Sequence, residues 1–204
     1  MSITLHKNDL PDNIVFSGSI AVDTETMGLQ IHGRDRLCLV QISAGDGTAH
    51  LVQIDKDQKE APNLKKLMGD TSITKIFHFA RFDVAALKLF LGVDVAPVYC
   101  TKIASKLVRT YTDRHGLRDL CRELISVDIS KQQQSSDWGA AELSKDQLSY
   151  AASDVFYLHR LKEKLDANLI REGRMDMAQS CFNFLNTRAD LDSAGWDEVD
   201  IFSH

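Results

Sequence analysis

Two carboxylates stand two positions apart at the end of an apolar segment. Asp23 and Glu25 follow the run that begins at Ile20, and Gly28 ends the segment. Residues two apart in a β-strand point to the same face, so both acids would converge on one side of a strand. Like charges held this close repel, and a cation relieves the repulsion. Because carboxylate oxygens are hard ligands, the pattern predicts a site for Mg²⁺ or Mn²⁺. The alternative is an exposed edge strand with solvated acids.

Two further acids lie downstream in segments with helical periodicity. Asp83 falls near the start of an amphipathic stretch, residues 79–91, that follows an apolar strand pattern. Asp154 lies four residues after Tyr150, so the two side chains share one helix face. Each acid alone would most simply be a surface residue. Their order in one chain, a strand D-x-E, a helix-start Asp and a helical Y-x-x-x-D, predicts that the four carboxylates form one site.

The elements that must position these residues follow from the apolar pattern. Strands are predicted over residues 3–6, 19–24, 37–43, 49–54, 73–77 and 93–98, and helices over 62–68, 79–91 and much of the chain after residue 100, interrupted at Gly116 and 130–139. A turn signal at residues 45–47 and short loops predict an antiparallel meander of three strands. Strands that alternate with helices after a meander predict an α/β fold, with a mixed five- or six-stranded sheet and helices on both faces.

Length and composition are typical of a single globular domain. The chain has 204 residues, of which 44% are hydrophobic and 26% charged. No apolar run approaches ~18 residues, so no membrane partner is expected, and the N-terminus lacks the apolar core of a signal peptide. The four scattered cysteines form no C-x-x-C pair and are typical of reduced thiols. We therefore expect a cytoplasmic protein.

The charge distribution argues against a general nucleic-acid binder. The net charge is −5, whereas such binders carry an excess of positive charge. Residues 189–204 contain five acids and no Lys or Arg, so the remainder of the chain is balanced. Residues 102–122 contain six Lys or Arg against two acids. This basic segment is either a local anion-binding patch or the solvated face of helices.

The motifs resemble those of the ribonuclease D branch of the DEDD exonucleases, in its tyrosine subgroup. Residues 23–26 are similar to the first exonuclease motif, 78–83 to the second and 150–154 to the third. Ser149 stands where the companion subgroup has a histidine. Flanking residues also match, at 39–42, 136–138, 143–144 and 147–148, so that the resemblance covers residues 15–165. It implies a ribonuclease H-like fold and a single 3′–5′ exonuclease domain over 1–204, with a helical extension over 166–204.

Phosphodiester hydrolysis is the chemistry that the resemblance implies. Two metal ions about 4 Å apart can activate water, stabilise the phosphate and stabilise the leaving oxygen. By resemblance, Asp23 bridges both ions, Glu25 and Asp154 hold the ion that carries the attacking water, and Asp83 supports the second. Free tyrosine has a pKa of about 10 and is a poor base at neutral pH, so Tyr150 would orient the water. The alternative for Tyr150 is a packed helix residue.

The compact length and residues 26–29 resemble the NanoRNase C-type exonucleases more than full-length ribonuclease D. Only 50 residues follow Asp154, too few for the additional helical domains of ribonuclease D. The resemblance implies hydrolysis of very short RNAs, above all 5′-phosphorylated dinucleotides, to nucleoside 5′-monophosphates by a ring-shaped homo-octamer. The alternatives are ribonuclease D-like trimming of structured RNA 3′ ends and an inactive RNA-binding module. Short DNA stays open as a further substrate.

Candidate substrate contacts lie beside the motifs and in the basic segment. They are Thr24, Leu29, His78, Arg109, Tyr111, Arg114 and His115. By resemblance, Leu29 would wedge between two bases, and the alternative is core packing. The residues of the basic segment would close over a terminal 5′ phosphate, within the subunit or across an oligomer contact. For His78, which ends a strand pattern, the other roles to weigh are metal ligand and base.

Overall fold

The computed structural model describes residues 1–28, 36–130 and 132–204. Its strands are β1 (Ser2–Lys7), β2 (Ser19–Thr26), β3 (Leu37–Ser43), β4 (Thr48–Gln53), β5 (Thr74–Phe77) and β6 (Val98–Cys100). Its helices are α1 (Pro62–Gly69), α2 (Ala80–Leu91), α3 (Thr101–Val108), α4 (Leu117–Ile125), α5 (Lys145–Phe156), α6 (Leu158–Arg171), α7 (Met175–Asn183) and α8 (Leu185–Ser193). The strands form one six-stranded sheet in the order β1-β4-β3-β2-β5-β6.

The sheet is mixed, as the sequence predicts. Strands β2, β3 and β4 pair antiparallel and form the expected meander. The remaining pairs, β1 with β4, β2 with β5 and β5 with β6, are parallel. Every residue of β3 is buried, which agrees with its nearly unbroken apolar sequence and its place inside the sheet. Strand β1 lies at one edge and exposes five of its six residues.

The two helices that carry the predicted acids have clear sequence signals at their ends. Helix α2 ends at Gly92, whose φ of 61° is the left-handed conformation that glycine adopts without steric cost. Helix α5 begins with a capping box, in which Ser144 accepts from the backbone of Gln147 and the Gln147 side chain accepts from the backbone of Ser144. These signals mark the C-terminal end of α2 and the N-terminal end of α5.

The predicted strand over residues 93–98 is mostly wrong, because β6 begins only at Val98. Pro97 has no backbone N–H to donate to a neighbouring strand. The carbonyl of Ala96 accepts a hydrogen bond of 2.7 Å from the ammonium of buried Lys75 instead of a strand partner. The apolar residues of this segment therefore fill the core from an irregular backbone.

Arg81, inside the second motif, is held by the last helix of the chain. Its guanidinium donates two hydrogen bonds of 2.7 Å to the carboxylate of Asp192 on α8. Arg188 donates to the same carboxylate at 2.9 Å. Bidentate pairs of this kind fix the geometry of both partners. Because α8 packs along α2, the pair ties the C-terminal helix to the helix that carries Asp83.

Candidate active site

Three of the four predicted acids meet where α5 crosses the sheet. Strand β2 supplies Asp23 and Glu25, and α5 supplies Asp154. One carboxylate oxygen from each residue lies within 4.8 Å of the other two. Helix α5 packs across β2, β3 and β4, and Ala151 and Ala152 are fully buried. The small alanine side chains let the helix approach the sheet closely enough to bring Asp154 to the strand.

The fourth acid, Asp83, is attached to this group through Thr24. Asp83 is 4% exposed, and its carboxylate accepts a hydrogen bond of 2.7 Å from the Thr24 hydroxyl. Its negative charge raises the pKa values of both Asp23 and Glu25, so it lies within electrostatic reach of them. Thr24 is 7% exposed and holds Asp83, and its expected contact with substrate stays a prediction.

Burial and mutual repulsion make the four carboxyls hard to ionise. Burial is the largest cause of the raised pKa in every case. It raises the pKa of Asp23 well above its usual range, and repulsion from the other three acids adds to the effect. The pKa of Glu25 rises to about 9, and those of Asp83 and Asp154 rise to about 7. Clustered, desolvated oxygen ligands fit hard divalent cations such as Mg²⁺ and Mn²⁺.

The stability of the metal-free protein should fall as pH rises. Unfolded carboxyls release their protons near pH 4, whereas the folded state keeps protons on Asp83 and Asp154 to about pH 7 and on Glu25 to about pH 9. Between these limits the unfolded state binds fewer protons, so the free energy of unfolding decreases with pH. We expect the Tm in EDTA to fall by about 4 °C or more from pH 5 to pH 8.

Thermal denaturation at each pH, with EDTA or with saturating Mg²⁺, checks this expectation. Bound cations favour the ionised carboxylates, so Mg²⁺ should flatten or reverse the pH dependence. A Tm in EDTA that rises steadily from pH 5 to pH 8 would contradict the assignment of the raised pKa values.

Tyr150 lies one helical turn before Asp154 and packs against a buried tryptophan. Its ring centroid is 6.0 Å from that of Trp138, which is 3% exposed. Burial, and then the negative charges of Asp154, Glu25 and Asp23, raise the pKa of Tyr150. The hydroxyl therefore keeps its proton at neutral pH. It can donate a hydrogen bond but cannot act as a base.

His78 is a neutral side chain with a defined tautomer. Thr101 donates its hydroxyl proton to the carbonyl of Phe77 at 3.1 Å, so its oxygen accepts from His78 Nδ1 at 2.9 Å. This assignment leaves Nε2 of His78 as a hydrogen-bond acceptor. Burial lowers the pKa of His78 to about 3, and the charges of Lys102 and His115 contribute. The ring therefore stays neutral, and the basic segment lies close to the second motif.

Arg109 is engaged by partners within the protein. It is 1% exposed. Its guanidinium pairs with Glu123 and donates to the backbone carbonyl of Arg114 at 2.6 Å and to Ser105 Oγ at 3.1 Å. A buried cation needs such partners because desolvation is costly. Arg109 thus shapes the loop that carries its neighbours in the basic segment, and its contact with a substrate phosphate stays a prediction.

The other residues of the basic segment remain accessible. Tyr111 is 76% exposed, Arg114 is exposed, and His115 is half-buried with Nδ1 2.8 Å from Ser105 Oγ. Leu29 lies outside the described residues. These side chains stay candidates for substrate contact.

Two aromatic residues of the site were given no role from the sequence. Trp138 lies in the segment 136–138, which resembles the family outside the three motifs. Its ring packs behind that of Tyr150. Phe79 precedes α2 in a left-handed conformation with a φ of 67°. Its ring is 47% exposed, and the ammonium of Lys102 lies 4.0 Å from the ring centroid. A left-handed backbone at a non-glycine residue is uncommon and recurs at functional sites.

Comparison with known proteins agrees with this geometry. A profile of the 3′–5′ exonuclease family matches residues 8–170. Ribonuclease D of Acidiphilium cryptum is 33% identical over 167 residues, which cover 82% of this chain and 42% of that protein. The chain thus spans about two fifths of the length of this curated relative.

Two solved structures of one bacterial protein are similar along their whole length. Brucella melitensis NrnC bound to pGG has a TM-score of 0.95 and 60% identity, over 100% of this chain and 99% of that one. Brucella melitensis NrnC with bound Mg²⁺ has a TM-score of 0.94 and 59% identity, over 100% of both chains. The resemblances inferred from the motifs and the implied ribonuclease H-like fold are confirmed. Separately, the helices in the described ranges lack the length and apolar character needed to cross a membrane.

Proposed function

Because the chain belongs to the 3′–5′ exonuclease family, we propose that it is a metal-dependent exoribonuclease for very short RNAs. It removes nucleoside 5′-monophosphates from the 3′ end, and its preferred substrate is a 5′-phosphorylated dinucleotide. The carboxylate cluster of Asp23, Glu25 and Asp154 is the observation that carries the catalytic part of the proposal. The substrate rests on likeness to NrnC, a protein solved with pGG.

The acids are arranged to hold two divalent cations. Such cations, when bound, activate water and stabilise the charge that develops on the phosphate and on the leaving oxygen. Asp23, next to all the other acids, would contact both ions, Glu25 and Asp154 would hold one, and Asp83 would support the other. Four carboxylates offset most of the positive charge of two cations. They leave positions open for the water and the phosphate.

The neighbouring side chains orient the reactants. The Tyr150 hydroxyl, protonated and one turn from Asp154, donates to the attacking water or to the phosphate. Nε2 of His78 accepts a hydrogen bond from a substrate hydroxyl. Arg114, Tyr111 and His115 lie in a loop near the second motif and present a cation, an aromatic face and an imidazole to the terminal 5′ phosphate and base.

Substrate length distinguishes this proposal from ribonuclease D-like trimming of structured RNA, which the curated relative supports. Affinity for long RNA comes mainly from neutralised phosphates, yet this chain has a net charge of −5. A site closed over the 5′ phosphate would lose those contacts with each added 5′ nucleotide. We expect the tightest binding and fastest turnover for 5′-phosphorylated dinucleotides. Removal of the 5′ phosphate should cost at least ~1.5 kcal/mol of binding free energy, the value of a charge-assisted hydrogen bond.

Turnover and affinity for RNAs of two to seven nucleotides, with and without the 5′ phosphate, test this prediction. Parallel reactions with EDTA and with DNA dinucleotides establish the metal requirement and the sugar preference. Affinities that rise with length would favour the ribonuclease D-like alternative. Cleavage that persists in EDTA would contradict the metal mechanism, and binding without cleavage would indicate an inactive RNA-binding module.

We extend the proposal to assembly and domain organisation. The chain acts as one exonuclease domain over residues 1–204 and forms a homo-oligomer, an octameric ring by family resemblance. Edge strand β1 exposes Ile3 and Leu5, each 38% accessible, which fits a face between copies. Sedimentation velocity measures the oligomeric state directly, and a monomer at micromolar protein concentration would contradict this part of the proposal.

A further inference from the structure

A buried glutamine beside the acids has no role in the chemistry described above. Gln41 on β3 is 0% exposed, and neither its amide nitrogen nor its amide oxygen has a hydrogen-bond partner among the residues that the structure describes. Buried polar side chains are nearly always hydrogen-bonded, because an unsatisfied group lowers stability. The neighbouring Val40 and Ile42 are fully buried and apolar. The chain thus keeps a destabilising amide inside its sheet.

Strand register places this amide next to the acids. Gln41 lies directly opposite Asp23 in the antiparallel pair of β2 and β3. Opposed residues of such a pair point to the same face, with Cβ atoms about 5 Å apart. It is the face on which α5 brings Asp154 to Asp23. At this spacing the longer glutamine side chain can bring its amide to the aspartate carboxylate.

Asp23 differs from two of its neighbours in its hydrogen bonds. Asp83 accepts from the Thr24 hydroxyl, and the Tyr150 hydroxyl lies close enough to Asp154 to lower the pKa of that carboxyl. The backbone N–H of Thr24 lowers the pKa of Asp23, and in the described part of the chain no side chain adds to that stabilisation of the carboxylate. Carboxylates that bind metals are usually hydrogen-bonded by a second residue that sets their orientation. An unengaged donor and an unsupported carboxylate therefore face each other across one strand pair.

We propose that Gln41 is a positioning residue for the metal site. Its side-chain N–H donates to the Asp23 carboxylate when cations are bound and fixes which oxygens face the cations. This inference rests on the proposed function, since it takes Asp23 as a cation ligand. The competing explanation is that Gln41 is a core residue whose amide serves neither metal binding nor catalysis.

Replacement of Gln41 by methionine separates the two explanations. Gln41→Met keeps the length and flexibility of the side chain and removes the amide. A positioning residue predicts that Mn²⁺ binding, measured by isothermal titration calorimetry without substrate, weakens about 10- to 100-fold. The Tm of the metal-free protein should stay the same or rise, because a buried unpaired amide is removed. At limiting metal concentration, kcat of Gln41→Met should fall by a larger factor than KM rises. Higher metal concentrations should restore part of the lost kcat.

Gln53 on β4 provides a matched control. It is also buried, at 4% exposure, but its amide is fully engaged, with Lys7 Nζ at 2.7 Å and the carbonyl of Ala140 at 2.9 Å. Gln53→Met should therefore lower the Tm and leave Mn²⁺ affinity unchanged. Opposite effects of one substitution on two buried glutamines would distinguish a positioning role from general packing.

The outcomes are distinct. If the wild-type protein binds Mn²⁺ and Gln41→Met binds it within twofold as tightly, the role of Gln41 is refuted while the proposed function stands. If the wild type binds no Mn²⁺, the proposed function itself fails. Should Gln41→Met not fold, the side-chain ¹⁵N–¹H signals of Gln41 in the wild type decide the question. A shift on addition of Mg²⁺ that Asp23→Asn abolishes supports the proposal, and unchanged signals overturn it.

Discussion

Asn in place of Asp23 is expected to lower kcat by at least about 10³-fold and to raise the Tm of the metal-free protein. The loss of activity follows because Asp23 is the acid whose charge all three others repel, the position from which one ligand can serve both cations. Asparagine keeps the shape and removes the charge. The gain in stability follows because Asp23 must take up a proton or carry a buried charge among like charges when the metal-free protein folds, and the neutral amide avoids both costs.

Steady-state kinetics and thermal denaturation in EDTA measure the two effects on one sample. The same substitution at the exposed Asp57 is the control, and it should change neither quantity. Asp83→Asn and Asp154→Asn should also abolish most turnover while the fold is retained. Near-normal activity in any of the three variants would remove that residue from the catalytic group. A strong fall in the Tm of Asp23→Asn in EDTA would mean that the carboxylate stabilises the apoprotein.

Phenylalanine in place of Tyr150 should lower kcat by roughly 10²-fold, with little change in KM. The ring stays packed against Trp138, so only the hydroxyl is lost. Because burial and nearby charges raise the pKa of this hydroxyl, it acts as a proton-bearing donor. The activity of the wild type should therefore show no tyrosine ionisation below pH 10.

The matched control is Tyr157→Phe, a half-buried tyrosine at the C-terminal end of the same helix. Its kcat should stay within twofold of wild type. Equal kcat values for Tyr150→Phe and wild type would reduce Tyr150 to a packing residue. A large rise in KM at constant kcat would instead assign its hydroxyl to substrate binding.

The residues that the sequence placed correctly are those governed by local periodicity. Asp23 and Glu25 share a face because the period of a strand is two, and the third helical motif places Tyr150 one turn from Asp154. The end of α2 at Gly92 likewise follows from the left-handed conformation that glycine adopts without steric cost. Such rules depend only on residues close in sequence, so they hold independently of tertiary packing.

The features that the sequence does not indicate are those that depend on segments distant along the chain. Arg109 has the composition of a phosphate ligand, but its burial depends on Glu123, which lies fourteen residues along the chain. The carbonyl of Ala96 is bonded by Lys75, a contact that apolar patterning does not indicate. The orphaned amide of Gln41 becomes visible only once strand register sets it opposite Asp23. Long-range packing of this kind has no signature in a single sequence.

The pairing of Arg81 with Asp192 has a consequence for any attempt to shorten this protein. The exonuclease profile ends at residue 170, whereas the carboxylate that holds Arg81 lies 22 residues beyond that limit, on α8. A chain cut at the profile boundary would leave the guanidinium beside the second motif without its bidentate partner and expose the face of α2 that α8 covers. We therefore expect the minimal folded exonuclease unit to extend to α8, which packs along the helix that carries Asp83.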